Sequence, residues 1–204
     1  MTKKTHFTNL LEINLAMFLI STSGALGRYI DMPVPVIIGF RALFAALFLF
    51  LYCKWKKISI KVDSKDRGGI ILSGILMGAH WVTYFYALKL SNVAIGMLSI
   101  FTYPVITAFL EPIVLKTKFQ KMHIILALLV LLGIYFLVPD FDIENIYFKA
   151  VLFGVFSALC YSLRNLITKT KVQRYHGSML MWYQLVVVGI CLTPILFFMD
   201  SSGI

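Results

Sequence analysis

His80, Trp81 and Tyr84 place an imidazole, an indole and a phenol within five residues. His80 and Tyr84 are four apart, so on a helix they share a face. With Tyr103 they could line an aromatic, hydrogen-bonding cavity, or they could pack. Tyr161, Asn165 and Gln184 are similar candidates later in the chain. Arg28 and Arg164 stand near the ends of apolar stretches. There they either reach out to headgroups or face a pathway and bind an anionic group such as a carboxylate. Arg41 is deeper. Facing lipid it would cost at least about 2.5–3.5 kcal/mol, so it should face protein or water, paired with Glu111 or with backbone carbonyls. Glu111 is the one acid well inside an apolar stretch. It could titrate, or it could form an interfacial pair with Lys116.

Pro104 follows Tyr103 in the middle of SIFTYPVITAFLEP (99–112). A soluble helix would lose about 3 kcal/mol to that proline. In a bilayer, neighbouring helices and waters can satisfy the freed carbonyl. The resulting helix kink serves packing or opens space beside the helix. The sequence has no GKS/T phosphate loop, no catalytic triad and no metal-ligand spacing, which points away from an enzyme, a cofactor or a metal. An intramembrane enzyme would need partners for His80, and His6, His123 and His176 fall at expected loops or ends. Cys53, Cys160 and Cys191 are widely separated and read as small buried hydrophobes.

These residues sit in a chain of 204, 60% hydrophobic and 14% charged, with mean hydropathy +0.87. Soluble domains carry about 45–50% apolar and about 25% charged residues. Too few charges remain to wet a globule, so the expected class is an all-α, polytopic transmembrane helical bundle with the lipid bilayer as its solvent. The net charge of +10 comes from short basic clusters between apolar runs. That arrangement suits a membrane protein and not nucleic-acid binding.

Spans of about 20 apolar residues can be laid along the chain. They run from about Leu10 to Ile30, from after the Pro33-Val34-Pro35 corner to Tyr52, and from Gly69 to Leu88. Four more cover Val93 to Leu115, Met122 to Val138, Tyr147 to Ile167 and Ser178 to Met199. The count is about seven helices. Lys3 and Lys4 before the first span resemble a signal peptide, but Glu12 and the length of the run favour an uncleaved helix. Ser91-Asn92 makes so short a turn that the third and fourth helices form an antiparallel hairpin, with a cap for the fourth. Gly74 and Gly78 invite close approach of a neighbour. Alternate loops hold 14 of the 19 lysines and arginines. The positive-inside rule then puts the N-terminus in the cytoplasm and Asp200 outside, in an inner or plasma membrane.

A weak internal repeat is visible. GALGRYI (24–30) compares with YSLRNLI (161–167), and VIIGFRALFAAL (36–47) with MLMWYQLVVVGI (179–190). The first and sixth helices would run in opposite senses, so the halves would be inverted, as in carriers whose site lies near the bilayer midplane. The expected division is a five-helix unit over 8–138 and an incomplete inverted unit over 147–204.

At this point the chain resembles the drug/metabolite transporter superfamily, in its EamA-type branch. The resemblance rests on YFYALKLSNVAIGMLSIFTYPVITAFLEPIVLK (84–116), ILALLVLLGIYFLV (125–138), Arg41 in GFRALFAAL, and FGVFSALCYSLRNLITK with MWYQLVVVGICLTPIL. Thr117 stands where that family usually carries a glutamate after the fourth helix. The resemblance implies secondary transport of small organic solutes, such as amino acids, other metabolites or drugs, by alternating access. The pathway would include His80, Trp81, Tyr84, Tyr103, Arg28, Arg164, Tyr161 and Asn165, with Glu111 and Arg41 in coupling or ion-pair roles. A homo-oligomer is left open. The family has ten helices with both ends cytoplasmic. Seven here make the alternative a truncated, non-transporting membrane protein or an assembly partner.

Overall fold

Proline sets the entry to the second helix. Pro33 is extended (φ −58°, ψ 138°), and Pro35 lies in the first helical turn, where a missing N–H breaks no bond. The computed structural model describes residues 3–137 and 144–198. They form α1 (Lys3–Tyr29), α2 (Val34–Trp55), α3 (Ser64–Leu90), α4 (Val93–Ile100), α5 (Tyr103–Leu115), α6 (Met122–Leu137), α7 (Ile146–Lys171) and α8 (Gly177–Phe198). The described residues contain no strand. With α4 and α5 as halves of one rod, the described residues form seven rods.

Five are long and apolar enough to cross a membrane: α2, α3, the α4–α5 rod, α7 and the Gly177–Pro194 part of α8. The rods α1 and α6 hold shorter apolar stretches, Leu10–Ser23 and Met122–Gly133. Large side chains such as Phe44, Phe48, Leu128 and Phe136 point outward, while Ser73, His80, Ser157, Ser162 and Gln184 are buried. That inside-out distribution is what a hydrocarbon solvent selects. The chain is a polytopic helical membrane bundle.

The fourth expected rod differs in detail. Pro104 has no N–H for the Ile100 carbonyl, and its ring crowds that oxygen. The rod breaks at Phe101–Thr102, so Pro104 lies in the first turn of α5 rather than bending an unbroken helix. Thr102 keeps the halves joined. Its amide (3.4 Å) and hydroxyl (2.8 Å) both reach the Ser99 carbonyl, and its own carbonyl accepts from Val105 and Ile106. A second proline, Pro112, lies inside α5.

The turn before α4 forms as expected. Asn92 Oδ1 accepts from the Ile95 amide (2.8 Å), capping α4, and the Ser91 hydroxyl donates to the Ala87 carbonyl (2.9 Å). The helix α3 is the hub, packing most extensively against α7 and also against α8, α4, α2 and α1. Gly74 and Gly78 act in packing. A Cβ on Gly74 would come within 2.6 Å of the Val187 Cβ, and one on Gly78 would sit 3.5 Å from the Val188 side chain. The small residues let α8 close on α3. Ile38 and Ala42 of α2, Met77 and Phe85 of α3, and Leu185 and Val188 of α8 fill the apolar centre of that contact. The expected ends at Val138 and Met199 lie outside the described residues.

Candidate functional site

The polar residues of α3 and α7 recur at helical spacing. On α3, Asp66, Ser73 and His80 are seven apart and Tyr84 follows four later; on α7, Ser157, Tyr161, Arg164, Thr168 and Lys171 alternate steps of four and three. Each set occupies one face. Because α3 and α7 share the largest contact, the two faces form a polar seam through the bundle, joined by Gln184 of α8.

At the middle of the seam, the Ser157 hydroxyl lies 2.8 Å from both the His80 Nδ1 and the His80 carbonyl oxygen. The carbonyl can only accept, so Ser157 donates there and Nδ1 carries the proton that it donates to Ser157. In the neutral tautomer with Nδ1 protonated, Nε2 is left as an acceptor. The imidazole packs on Tyr161 (centroids 4.8 Å apart) and stacks on Tyr84 (6.2 Å). Tyr161 in turn meets Tyr103 edge-on at 4.9 Å. The break in the α4–α5 rod helps set this last contact, since Ser162 donates to the Tyr103 carbonyl (3.0 Å) while Thr107 donates to Ser162 (3.0 Å).

Two arginines stand near the row: Arg41 lies over the Trp81 ring, next to His80 in α3, and Arg164 follows Tyr161 by three residues in α7. Arg164 donates through Nε (3.0 Å) and Nη2 (2.5 Å) to Gln184 Oε1, and through Nη1 to Asn165 Oδ1 (2.9 Å). The Gln184 amide donates to the Ser73 and Thr168 hydroxyl oxygens, each at 3.0 Å, and those hydroxyls donate to the carbonyls of Ile70 and Arg164. Turning the amide over would set its N–H groups against the guanidinium, so its orientation is fixed. Arg41 donates to the Ser23 hydroxyl (2.9 Å) and lies over the Trp81 ring, 4.6 Å from the centroid. Among the described residues neither arginine meets a carboxylate.

The seam ends at the face that carries the basic loops. Asp66, buried, accepts from Lys171 Nζ (2.5 Å) and the Tyr175 hydroxyl (2.8 Å), with Arg174 at 3.6 Å. Burial and the Asp66 carboxylate hold the Tyr175 phenol above its ordinary range, so it stays a donor.

Most of the expected residues therefore come together. His80, Tyr84, Tyr103 and Tyr161 form one aromatic row, and Arg164 with Asn165 and Gln184 adjoins it. Trp81 turns away from the row to cover Arg41. Arg41 pairs with Ser23 and an aromatic face rather than with Glu111, because Glu111 lies on α5, which packs mainly on α7 and α6 rather than on α2. Glu111 pairs with Lys169 of α7 at 2.6 Å, not with Lys116, whose left-handed backbone (φ 55°) turns the chain out of α5. Arg28 lies in α1, and its side chain is outside the described ones. Sequence reasoning missed Ser73, Ser157, Thr168, Asp66, Lys171 and Tyr175. The steps of seven on α3 and of four and three on α7 were the available signal.

A family model described as the EamA-like transporter family matches residues 10–138. No curated protein and no solved structure matches the chain.

Proposed function

The chain belongs to the EamA-like transporter family, and from that premise we propose that it is a secondary carrier which recognises a carboxylate-bearing organic solute at the aromatic row between α3, α5 and α7. The observation that supports this is the pair of partly buried guanidinium groups, Arg41 and Arg164, beside the row with only neutral partners. Charge held away from water is costly unless something compensates it, and a solute carboxylate would do so. His80 Nε2 and the tyrosine hydroxyls would orient the remaining polar groups, and the rings would cover an apolar body. Amino acids and other small metabolic acids fit that description.

In this reading α7 and α8 open a second unit inverted relative to the first, the solute reaches the row alternately from each side, and the N-terminus is cytoplasmic. The pairing of Glu111 with Lys169 favours an ion-pair role for that acid. Uptake into proteoliposomes tests the proposal, with labelled benzoate, phenylalanine and succinate set against neutral benzamide and cationic benzamidine. The expected result is uptake of at least one carboxylate, falling about tenfold or more in Arg164→Gln. Flat rates for every solute overturn the carrier reading, and uptake of benzamidine alone overturns the carboxylate assignment.

A further inference from the structure

We propose that the cleft between the α2–α3 loop, the start of α3 and α8 binds the headgroup of an anionic phospholipid. The cleft has a volume of about 610 Å³ and is lined by Ile60, Lys61, Val62, Arg67, Ile70, Ile71 and Tyr183. It is separate from the aromatic row, and none of its lining residues belongs to the polar seam.

Three observations carry the assignment. The first is charge. Lys61 and Arg67 enter one concave surface from two elements, and among the described residues neither forms an ion pair. Of the two nearby acids, Asp63 makes no such pair among the described residues, and its backbone amide donates to the Tyr175 hydroxyl (3.2 Å). Asp66 is already taken by Lys171, Arg174 and Tyr175. The second is the wall. Ile70 is buried and Ile71 is 49% exposed on the outer surface of the bundle, so the cleft is greasy on the side that continues along α3 toward the hydrocarbon. A free inorganic anion has no use for that wall, whereas acyl chains do. The third is depth. The cleft lies at the level of the basic loops, where a headgroup phosphate would stand, and Trp182 and Tyr183 mark an aromatic boundary on α8. Two cations over an apolar groove at the leaflet surface is the chemistry that selects anionic headgroups.

Tyr183 donates to the Ile60 carbonyl at 2.9 Å and so ties the α2–α3 loop to α8 across the cleft floor. A lipid seated there would bridge the same two elements.

Native mass spectrometry of the protein released from nanodiscs tests the site, with phosphatidylcholine alone compared with phosphatidylcholine plus phosphatidylglycerol. The expected result is one tightly retained phosphatidylglycerol, weakened about tenfold or more in the doubly substituted Lys61→Gln, Arg67→Gln protein. Lys65→Gln, an exposed lysine of the same segment outside the cleft, should leave retention unchanged. Equal retention of phosphatidylcholine, equal loss in Lys65→Gln, or no loss in the double variant each overturns the proposal. Inorganic phosphate is added as a competitor. Displacement of the lipid by phosphate alone would show a simple anion site and would also overturn it. Both substitutions are at exposed positions, and an unchanged melting temperature in plain phosphatidylcholine confirms folding.

Discussion

Gln184 is almost wholly buried, yet all its hydrogen-bonding capacity is used. It links α3, α7 and α8 through one amide. Replacing it with leucine would leave Arg164, Ser73 and Thr168 facing an apolar side chain. We expect Gln184→Leu to lose about 3 kcal/mol or more, read as thermal unfolding in nanodiscs. Gln184→Glu separates structure from function. The new carboxylate pairs with Arg164 and can accept from the Ser73 and Thr168 hydroxyls once these turn away from the Ile70 and Arg164 carbonyls, so the fold should hold near its original melting temperature. The guanidinium is then neutralised internally, and carboxylate uptake should vanish. Retained uptake in Gln184→Glu would remove Arg164 from the recognition role. At this scale the sequence was informative about the large groups, because His80, the tyrosines and the arginines are conspicuous in an apolar run. It was silent about the small ones. A serine in a membrane helix is common, and only its partner across the seam shows that Ser73 or Ser157 is in use.

Helix bounds were legible where apolar runs end and misjudged where charges continue a helix. The helix α3 was expected from Gly69 but begins at Ser64. The segment 64–67 is polar and reads as loop, while Asp66 in the first turn favours the helix start. The same error shortened α7, whose last turn carries Lys169 and Lys171. The two glycines of α3 give opposite expectations from one measurement. Gly74→Ala should cost about 1–3 kcal/mol, since the branched Val187 cannot yield easily. Gly78→Ala meets only ordinary contact at Val188 and should gain up to about 1 kcal/mol from helix propensity. Pro104→Ala would restore the amide for the Ile100 carbonyl and allow α4 and α5 to fuse. Stability should rise by at most about 1 kcal/mol, as the proline already sits in a first turn. Uptake should fall, because Tyr103 would be swung off Tyr161.

The whole molecule was the most legible level. Composition alone required lipid around the rods, and the 84–116 stretch suggested the family to which the chain belongs. Which rods touch was beyond it, since contact between α3 and α7 depends on tertiary packing and not on apolar length. The proposed orientation is checked by labelling in a background where Cys53, Cys160 and Cys191 are replaced by serine. Lys56→Cys and Arg174→Cys should react with an impermeant maleimide from the cytoplasmic face alone, and Asp31→Cys from the opposite face alone. The reverse pattern would invert the whole assignment.

Arg41 and Arg164, which have no carboxylate partners among the described residues, also bear on how the protein should work in time. In the proposed carrier, a sealed bundle with nothing aboard would enclose two uncompensated positive charges, whereas a sealed bundle holding an acid would have part of that charge covered. The loaded form should therefore cross between its two openings faster than the vacant one. Cargo supplied in the receiving compartment should speed exit from the other, and one-way movement should be the slow mode. The protein would then behave as an exchanger, because each departing acid leaves behind a charge that the next arrival is needed to cover.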